Sequence, residues 1–263
     1  MMTEFDPIAP DKRRTIEARL ADIERRNEVR ILLAVESGSR AWGFPSADSD
    51  YDVRFIYARS QSSYLSFKQP RDVIEQPIGE DLLDVSGWDL RKAIGLVMRS
   101  NATVGEWLTS PIVYRRDPRA WALLLDFVRN EFSPRHHALH YLHFAETQWK
   151  PHAVASAVKC KHYCYVIRTL LALFWTVEHK SLPPMAVDEL VAGVGLPYDV
   201  ATAFAELRML KMSGTEQANQ ARVPELDRWI EQTLQTGPSL CDSIPGHSPR
   251  VAAADHVFLQ IIQ

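Results

Sequence analysis

Cysteine is scarce: Cys160, Cys164 and Cys241 are the only three in 263 residues, an odd number that excludes a disulfide framework. Cys160 and Cys164 stand about one helical turn apart with no matching cysteine or histidine pair, so they read as reduced, buried helix residues and not as a zinc site. An excess of positive charge is also lacking. The 30 basic and 33 acidic residues leave a net charge of -3, so there is no global signature of nucleic-acid binding, though a local basic patch is not excluded. The longest apolar run, around Leu170–Val177, falls well short of the roughly 20 residues that span a bilayer. The opening stretch MMTEFDPIAPDKRR has no apolar core of the signal-peptide kind. These absences set the expectation of a cytoplasmic protein with no membrane association. Internal repeats and low-complexity tracts are missing too. What remains is 46% hydrophobic and 24% charged, the make-up of a globular chain with a substantial core, in one large domain or two small ones.

The first part of the chain alternates in character. Ile16, Leu20 and Ile23 recur at helical spacing, which predicts a helix over Asp11–Asn27. The apolar run Val29–Val35 predicts a buried strand, and Tyr51–Ala58, rich in aromatic and β-branched residues, a second. Asp72–Glu75 and Leu82–Trp88 read as further strands, followed by a helix that Asp89 can cap and a short helix near Val104–Leu108. After Pro118 nearly every segment reads as helix: Arg119–Glu131, Arg135–Trp149, Ala153–Glu178, Ala186–Ala192, Tyr198–Lys211, Glu225–Gln235 and Val251–Ile262. Prolines, Pro238 among them, are expected between these helices, and no strand candidate stands beyond Val113. The expected fold class is therefore α+β: a catalytic domain over 1–117 with a small mixed sheet flanked by helices, then an all-α domain over 118–263.

The chemistry concentrates in ESGSRAWGFPSADSDYDVRFIY, residues 36–57. A buried strand runs into Gly38-Ser39. Gly38 can take a positive φ and let backbone approach a ligand. Ser39 offers a hydroxyl, and N–H groups at such a turn can point at phosphate, more so where Arg40 opens a short helix. Asp50 and Asp52 then flank Tyr51 at a strand start, and the period of two puts both carboxylates on one face. Paired carboxylates repel unless a cation lies between them, and Mg²⁺ commonly takes one or two of them plus substrate phosphates. A third carboxylate helps two-metal transfer. Asp84 is the candidate, on one strand face with Ser86 and Trp88; its rival Asp89 is better placed as a helix cap.

Gly-Ser, a loop of about ten residues and Asp-x-Asp between apolar strands together resemble the DNA polymerase β-like nucleotidyltransferase superfamily. The runs ESGSRAWGFPSADSDYDVRFIY, DVSGWDLRKA and NATVGEWLTSPIVY resemble more closely a bacterial and phage family of nucleotidyltransferases linked with RNA repair. Softer likenesses continue in KCKHYCYVIRTLLALFW, LPPM and LKMSGTE, so the similarity spans roughly Arg30 to Glu216. The resemblance implies Gly38 and Ser39 on a triphosphate, and Asp50 and Asp52 on Mg²⁺ (or Mn²⁺), with Asp84 matching the third acidic position. It implies transfer of a nucleoside monophosphate from a nucleoside triphosphate to an acceptor hydroxyl, an RNA end among the candidates, with release of pyrophosphate. A protein side chain or small molecule as acceptor, and a non-catalytic nucleotide-binding or antitoxin-like role, are the alternatives. Oligomeric state is not legible.

Other residues carry two readings each. Arg40 can contact phosphate or pair with an acidic neighbour; Arg54 can reach the triphosphate or hold Asp52. Lys161, Tyr165 and Arg168 follow i, i+4, i+7 spacing on one helix face, so Lys161 and Arg168 are candidate nucleotide contacts on a substrate-facing stripe. The same spacing suits an ordinary amphipathic helix; the resemblance favours the stripe. Arg91 and Lys92 read as solvated, Asp48 as turn chemistry, and Trp42, Trp88 and Trp107 as core residues before base-stacking platforms. His136, His137, His140 and His143 cluster on one helix without a carboxylate to complete a metal site.

Overall fold

The computed structural model describes residues 8–214 and 219–263. Their order is α1 (Pro10–Asn27), β1 (Arg30–Glu36), α2 (Gly38–Trp42), β2 (Tyr51–Ala58), α3 (Gln61–Tyr64), β3 (Val73–Gln76), β4 (Leu83–Asp89), α4 (Leu90–Val97), α5 (Thr103–Leu108) and β5 (Val113–Arg116). Then follow α6 (Pro118–Asn130), α7 (Pro134–Trp149), β6 (Ala157–Lys159), α8 (Cys160–His179), α9 (Val187–Val194), α10 (Tyr198–Ser213), β7 (Asn219–Ala221), α11 (Pro224–Asp242) and α12 (Val251–Ile262). Residues 1–7 of the opening stretch MMTEFDPIAPDKRR, and Thr215-Glu216 of the phrase LKMSGTE, lie outside the described residues.

Five strands form one mixed sheet in the order β3-β4-β2-β1-β5. β2 and β4 run parallel; β1 is antiparallel to β2 and to β5, and β3 to β4. Strand β1 is buried along almost its whole length, as its uninterrupted apolar run predicts for a central strand. Alternation along β2 sends Val53, Phe55 and Tyr57 to a core shared with Ile16, Leu20 and Ile23 of α1, while Ile56 and Ala58 face a second core. Phe55 lies opposite Gly87 in the β2–β4 register, and a Cβ built on Gly87 would overlap the Phe55 ring. This close fit resists a slip that would reverse which side chains face each core.

The second core packs α4, α5, α6 and α12 on the sheet, through Leu90, Trp107, Leu124 and Val257 among others. A third joins α7 through α11 around α8 and takes in Phe44 from the segment after α2. The change of character at Pro118 is thus a change in secondary structure that core packing does not follow, because α6 and α12 pack on the sheet side. Pro10, Pro118, Pro134 and Pro224 sit in the first turn of their helices, where a missing N–H costs nothing.

Two expected elements differ. A helix over Ala153–Glu178 is corrected to begin at Cys160: residues 157–159 instead pair with 219–221 as an antiparallel ribbon, β6 with β7. Val158, deeply buried there, favours the extended pairing over the helix that the surrounding alanines would allow. The helix expected to end at Gln235 runs on through Pro238 to Asp242. Close packing of Gly237 on Leu142 of α7 holds the segment helical despite the bond that proline removes.

Candidate active site

β1 ends at Glu36, a charged residue at the end of an apolar strand, and its side chain is fully buried. Its Oε1 accepts the backbone N–H of Asp52 at 2.9 Å, and its Oε2 accepts the Tyr114 hydroxyl at 2.6 Å. Burial pushes its carboxyl up to about 7, with the neighbouring Asp52 charge adding to the rise against the two hydrogen bonds and Arg40. The next backbone N–H, of Ser37, donates to the Asp52 carbonyl at 2.8 Å. Both sides of the Asp52 backbone are therefore fastened to the end of β1. Spacing alone did not single out Glu36, although a carboxylate closing an apolar run just before the Gly-Ser turn was a readable signal.

Gly38 opens α2 at φ +59°, in the left-handed region, and a Cβ there would overlap the Asp52 carboxylate at Oδ2. Only glycine lets the turn and the aspartate approach so closely. Ser39 is buried, and its carbonyl accepts the N–H groups of Gly43 and Phe44 at 3.1 and 3.0 Å, closing the short helix.

The parallel register sets Asp52 opposite Asp84 on adjacent strands. Arg54, two residues along β2, joins them: its Nη2 lies 2.8 Å from Asp52 Oδ1 and 2.6 Å from Asp84 Oδ2, and its Nη1 donates to the Asp84 carbonyl at 2.9 Å. All three side chains are less than one-third exposed. Of the two roles open to Arg54, the geometry displays the holding one. Arg40 lies 3.9 Å over the Tyr51 ring and donates to the Ser49 and Asp50 carbonyls at 2.7 and 3.1 Å, so it shapes the backbone on which Asp50 stands. Asp48 is exposed in the turn between buried Ser46 and Ser49. Asp89 caps α4 by accepting the Arg91 N–H at 2.8 Å, and Tyr64 donates to the same carboxylate at 3.2 Å.

The candidate stripe on α8 divides. Arg168 is buried, bonded to Glu106 at 3.0 Å and to the Met185 carbonyl at 3.3 Å, with its guanidinium 4.6 Å from the Trp42 ring. Tyr165 meets Trp42 edge-on at 4.9 Å between centroids. These two therefore press on α2 from behind and bear on the site through Trp42. Lys161 is half-buried in the first turn of α8, about 10 Å along the helix axis from Arg168. Trp88 and Trp107 stack on one another at 4.0 Å, as core residues do. Burial also pushes the Cys164 thiol up to about 12, which suits an inert packed cysteine.

A small mixed sheet carrying facing aspartates beside a Gly-Ser turn, with helices behind it, defines the class: a nucleotidyltransferase-like protein of the DNA polymerase β type. The chain belongs to the RNA repair pathway DNA polymerase beta family (RlaP), whose model matches residues 13–260. It is 42% identical over 228 residues to "Uncharacterized protein YcgL" of Bacillus subtilis (strain 168), a match covering 85% of each chain. Membership points to a nucleotidyltransferase-like role in RNA repair. Among the described residues, no helix is long and apolar enough to cross a membrane.

Proposed function

We propose that the protein transfers a nucleoside monophosphate from a nucleoside triphosphate to an acceptor hydroxyl, releasing pyrophosphate, and that the acceptor is an RNA end. The observation that carries this reading is the alignment of Asp52 with Asp84 across the parallel strand pair, hard against the Gly38 turn. The donor chemistry fits Mg²⁺ or Mn²⁺, since the groups on offer are hard carboxylate oxygens. Among the described residues, no three histidine, cysteine or carboxylate side chains gather into a ready cage. Two carboxylates completed by triphosphate oxygens is the usual arrangement for Mg²⁺, so Asp50 and Asp52 would hold it. When bound, the ion would offset phosphate charge and acidify the acceptor hydroxyl.

The chain's own residues do the rest. Gly38 and Ser39 offer a turn against which phosphate oxygens can lie. Glu36 fixes the Asp52 backbone and Arg40 the Asp50 carbonyl, so the carboxylates start in place and little ordering is left to the bound state. Arg54 keeps Asp52 and Asp84 from repelling one another. The acceptor oxygen attacks the α-phosphorus, the bond to the bridging oxygen of pyrophosphate breaks, and an Asp84 carboxylate oxygen takes the acceptor proton. Lys161 is a further candidate contact to the nucleotide, and Arg168 acts through Trp42.

The test is incubation with Mg²⁺ and each α-³²P nucleoside triphosphate, with and without total RNA, on wild type, Asp50→Ala and Asp52→Ala. Wild type should label RNA, while both variants lose transfer and keep their melting temperatures. An active Asp52→Ala enzyme overturns the mechanism; label on protein or a small molecule overturns the RNA acceptor.

A further inference from the structure

Five cations line one cavity of about 460 Å³: Arg59, Arg71, Arg91, Lys92 and Arg99. Two carboxylates, Asp72 and Asp89, line it with them, and Arg71 is paired beyond the lining with Glu75 at 3.6 Å, in a chain whose net charge is -3. The carboxylates are already engaged. Lys92 Nζ donates to Asp72 at 3.2 Å, and Asp89 caps α4 with Arg59 Nε 3.7 Å away. Arg91 is exposed and lies 5.3 Å over each of the Tyr64 and Phe258 rings. Arg99 is exposed and makes no ion pair among the described residues.

Arg99 also lines a second cavity of about 570 Å³, whose wall carries His136, His140 and His143 and no carboxylate. Arg99 is common to both walls and marks the join of a furrow whose charge comes from the arginines and Lys92, since burial holds the His140 imidazole below its ordinary value. Phe144 lines neither cavity but follows the lining residue His143 on α7; it is 48% exposed, and its ring is parallel to that of His140, with centroids 6.4 Å apart. The near end reaches Asp89, five residues along β4 from Asp84, or about 17 Å. The site described above uses none of these groups.

We propose that this furrow binds a single strand of RNA, its phosphates on Arg91 and Arg99 and a base against the exposed face of Phe144. A cationic groove with an accessible aromatic ring is how proteins take single strands, whose phosphates track the charge and whose bases are free to stack. A duplex keeps its bases inside and cannot use the ring. The choice of RNA over DNA rests on the acceptor proposed above; the charge and the ring stand without it.

The test is fluorescence anisotropy with a labelled 12-nucleotide single-stranded RNA, in EDTA and without nucleotide, on wild type, Arg91→Ala/Arg99→Ala and Phe144→Ala. Loss of two phosphate contacts should weaken binding roughly 10-fold or more and flatten the slope of log K against log salt by about 1.4. Phe144→Ala should weaken single-strand binding roughly 5-fold or more and leave duplex RNA unaffected. Should the double variant melt early, Arg99→Glu alone reads the same direction. Wild-type affinity and slope in the variants overturns the proposal, and single-stranded DNA bound as tightly as RNA overturns its choice of RNA. Because binding is read without metal or nucleotide, an unimpaired furrow in a protein that transfers nothing, and a failed furrow in one that does, are separate results.

Discussion

At Gly38 two constraints meet on one residue. Its φ of +59° is strained for any residue with a Cβ, and that Cβ would overlap Asp52 Oδ2. The backbone strain is worth about 1–3 kcal/mol. The overlap is different in kind, because it falls on the movable end of a side chain. Asp52 can swing away, but then it leaves Arg54 and the turn. Gly38→Ala should therefore cost little more than the strain in stability while removing most transfer activity. Melting curves and labelled-triphosphate assays on the same preparation check this; near-wild-type transfer in a folded Gly38→Ala protein would show that Asp52 does not act where it now lies. The approach of the Gly38 turn to the Asp-x-Asp strand start was legible because the relation is local: a turn, a loop and a two-residue period. The bridge from Arg54 to Asp84 was not, since 30 residues and the pairing of β2 with β4 intervene. Glu36 escaped notice for a related reason: its partner Tyr114 lies 78 residues away.

Among the elements, those with long periodic patterns matched their sequence signals within a residue or two, and β2 and α12 coincide with the expected spans. The misses are places where tertiary contact overrode local preference. The β6–β7 ribbon joins segments some 60 residues apart, and neither strand is long enough to announce itself. In α11, Gly237-Pro238 looks like a stop, yet the helix continues because Gly237 sits against α7. Two opposing effects then bear on Gly237→Ala. Helix propensity alone would favour alanine by about 1 kcal/mol. Against that, the new Cβ would lie 2.5 Å from Leu142 Cδ1, and Leu142 is 1% exposed with no room to retreat. Overpacking of this kind costs about 1–3 kcal/mol, so the contact should offset or outweigh the gain and the variant should lose up to about 2 kcal/mol of stability. Urea denaturation measures it; a raised midpoint would mean that Leu142 repacks freely and that the α7–α11 contact does not hold the helix through Pro238.

For the molecule as a whole, a buried polar pair links two of the three apolar cores, and a buried histidine makes its stability depend on pH. Arg168 links α8 to α5 through Glu106 and presses on α2 through Trp42, so the helical half supports the back of the candidate site. On α7, His137 is buried against Phe132, with ring centroids 4.3 Å apart, and its Nδ1 is 3.0 Å from the Ser133 carbonyl oxygen, which makes that nitrogen the donor. Burial pushes its imidazole down to about 4 from an ordinary 6.5, with the positive charge of neighbouring histidines acting in the same direction. Between those two values the unfolded chain binds a proton that the native protein refuses. Stability must then fall as pH falls from about 6.5 toward 4, and this contribution is flat above about 7. The full swing is about 3 kcal/mol, a sizeable share of the roughly 5–15 kcal/mol that holds a domain folded. Replacing the imidazole with a group that does not titrate, His137→Gln, should shift absolute stability at every pH but flatten the acid limb between pH 6.5 and 4. Urea titrations at half-unit steps separate the two effects. An acid limb as steep in His137→Gln as in wild type would place the linked proton elsewhere, with half-buried His140, also held below its ordinary value by burial, as the next group to replace.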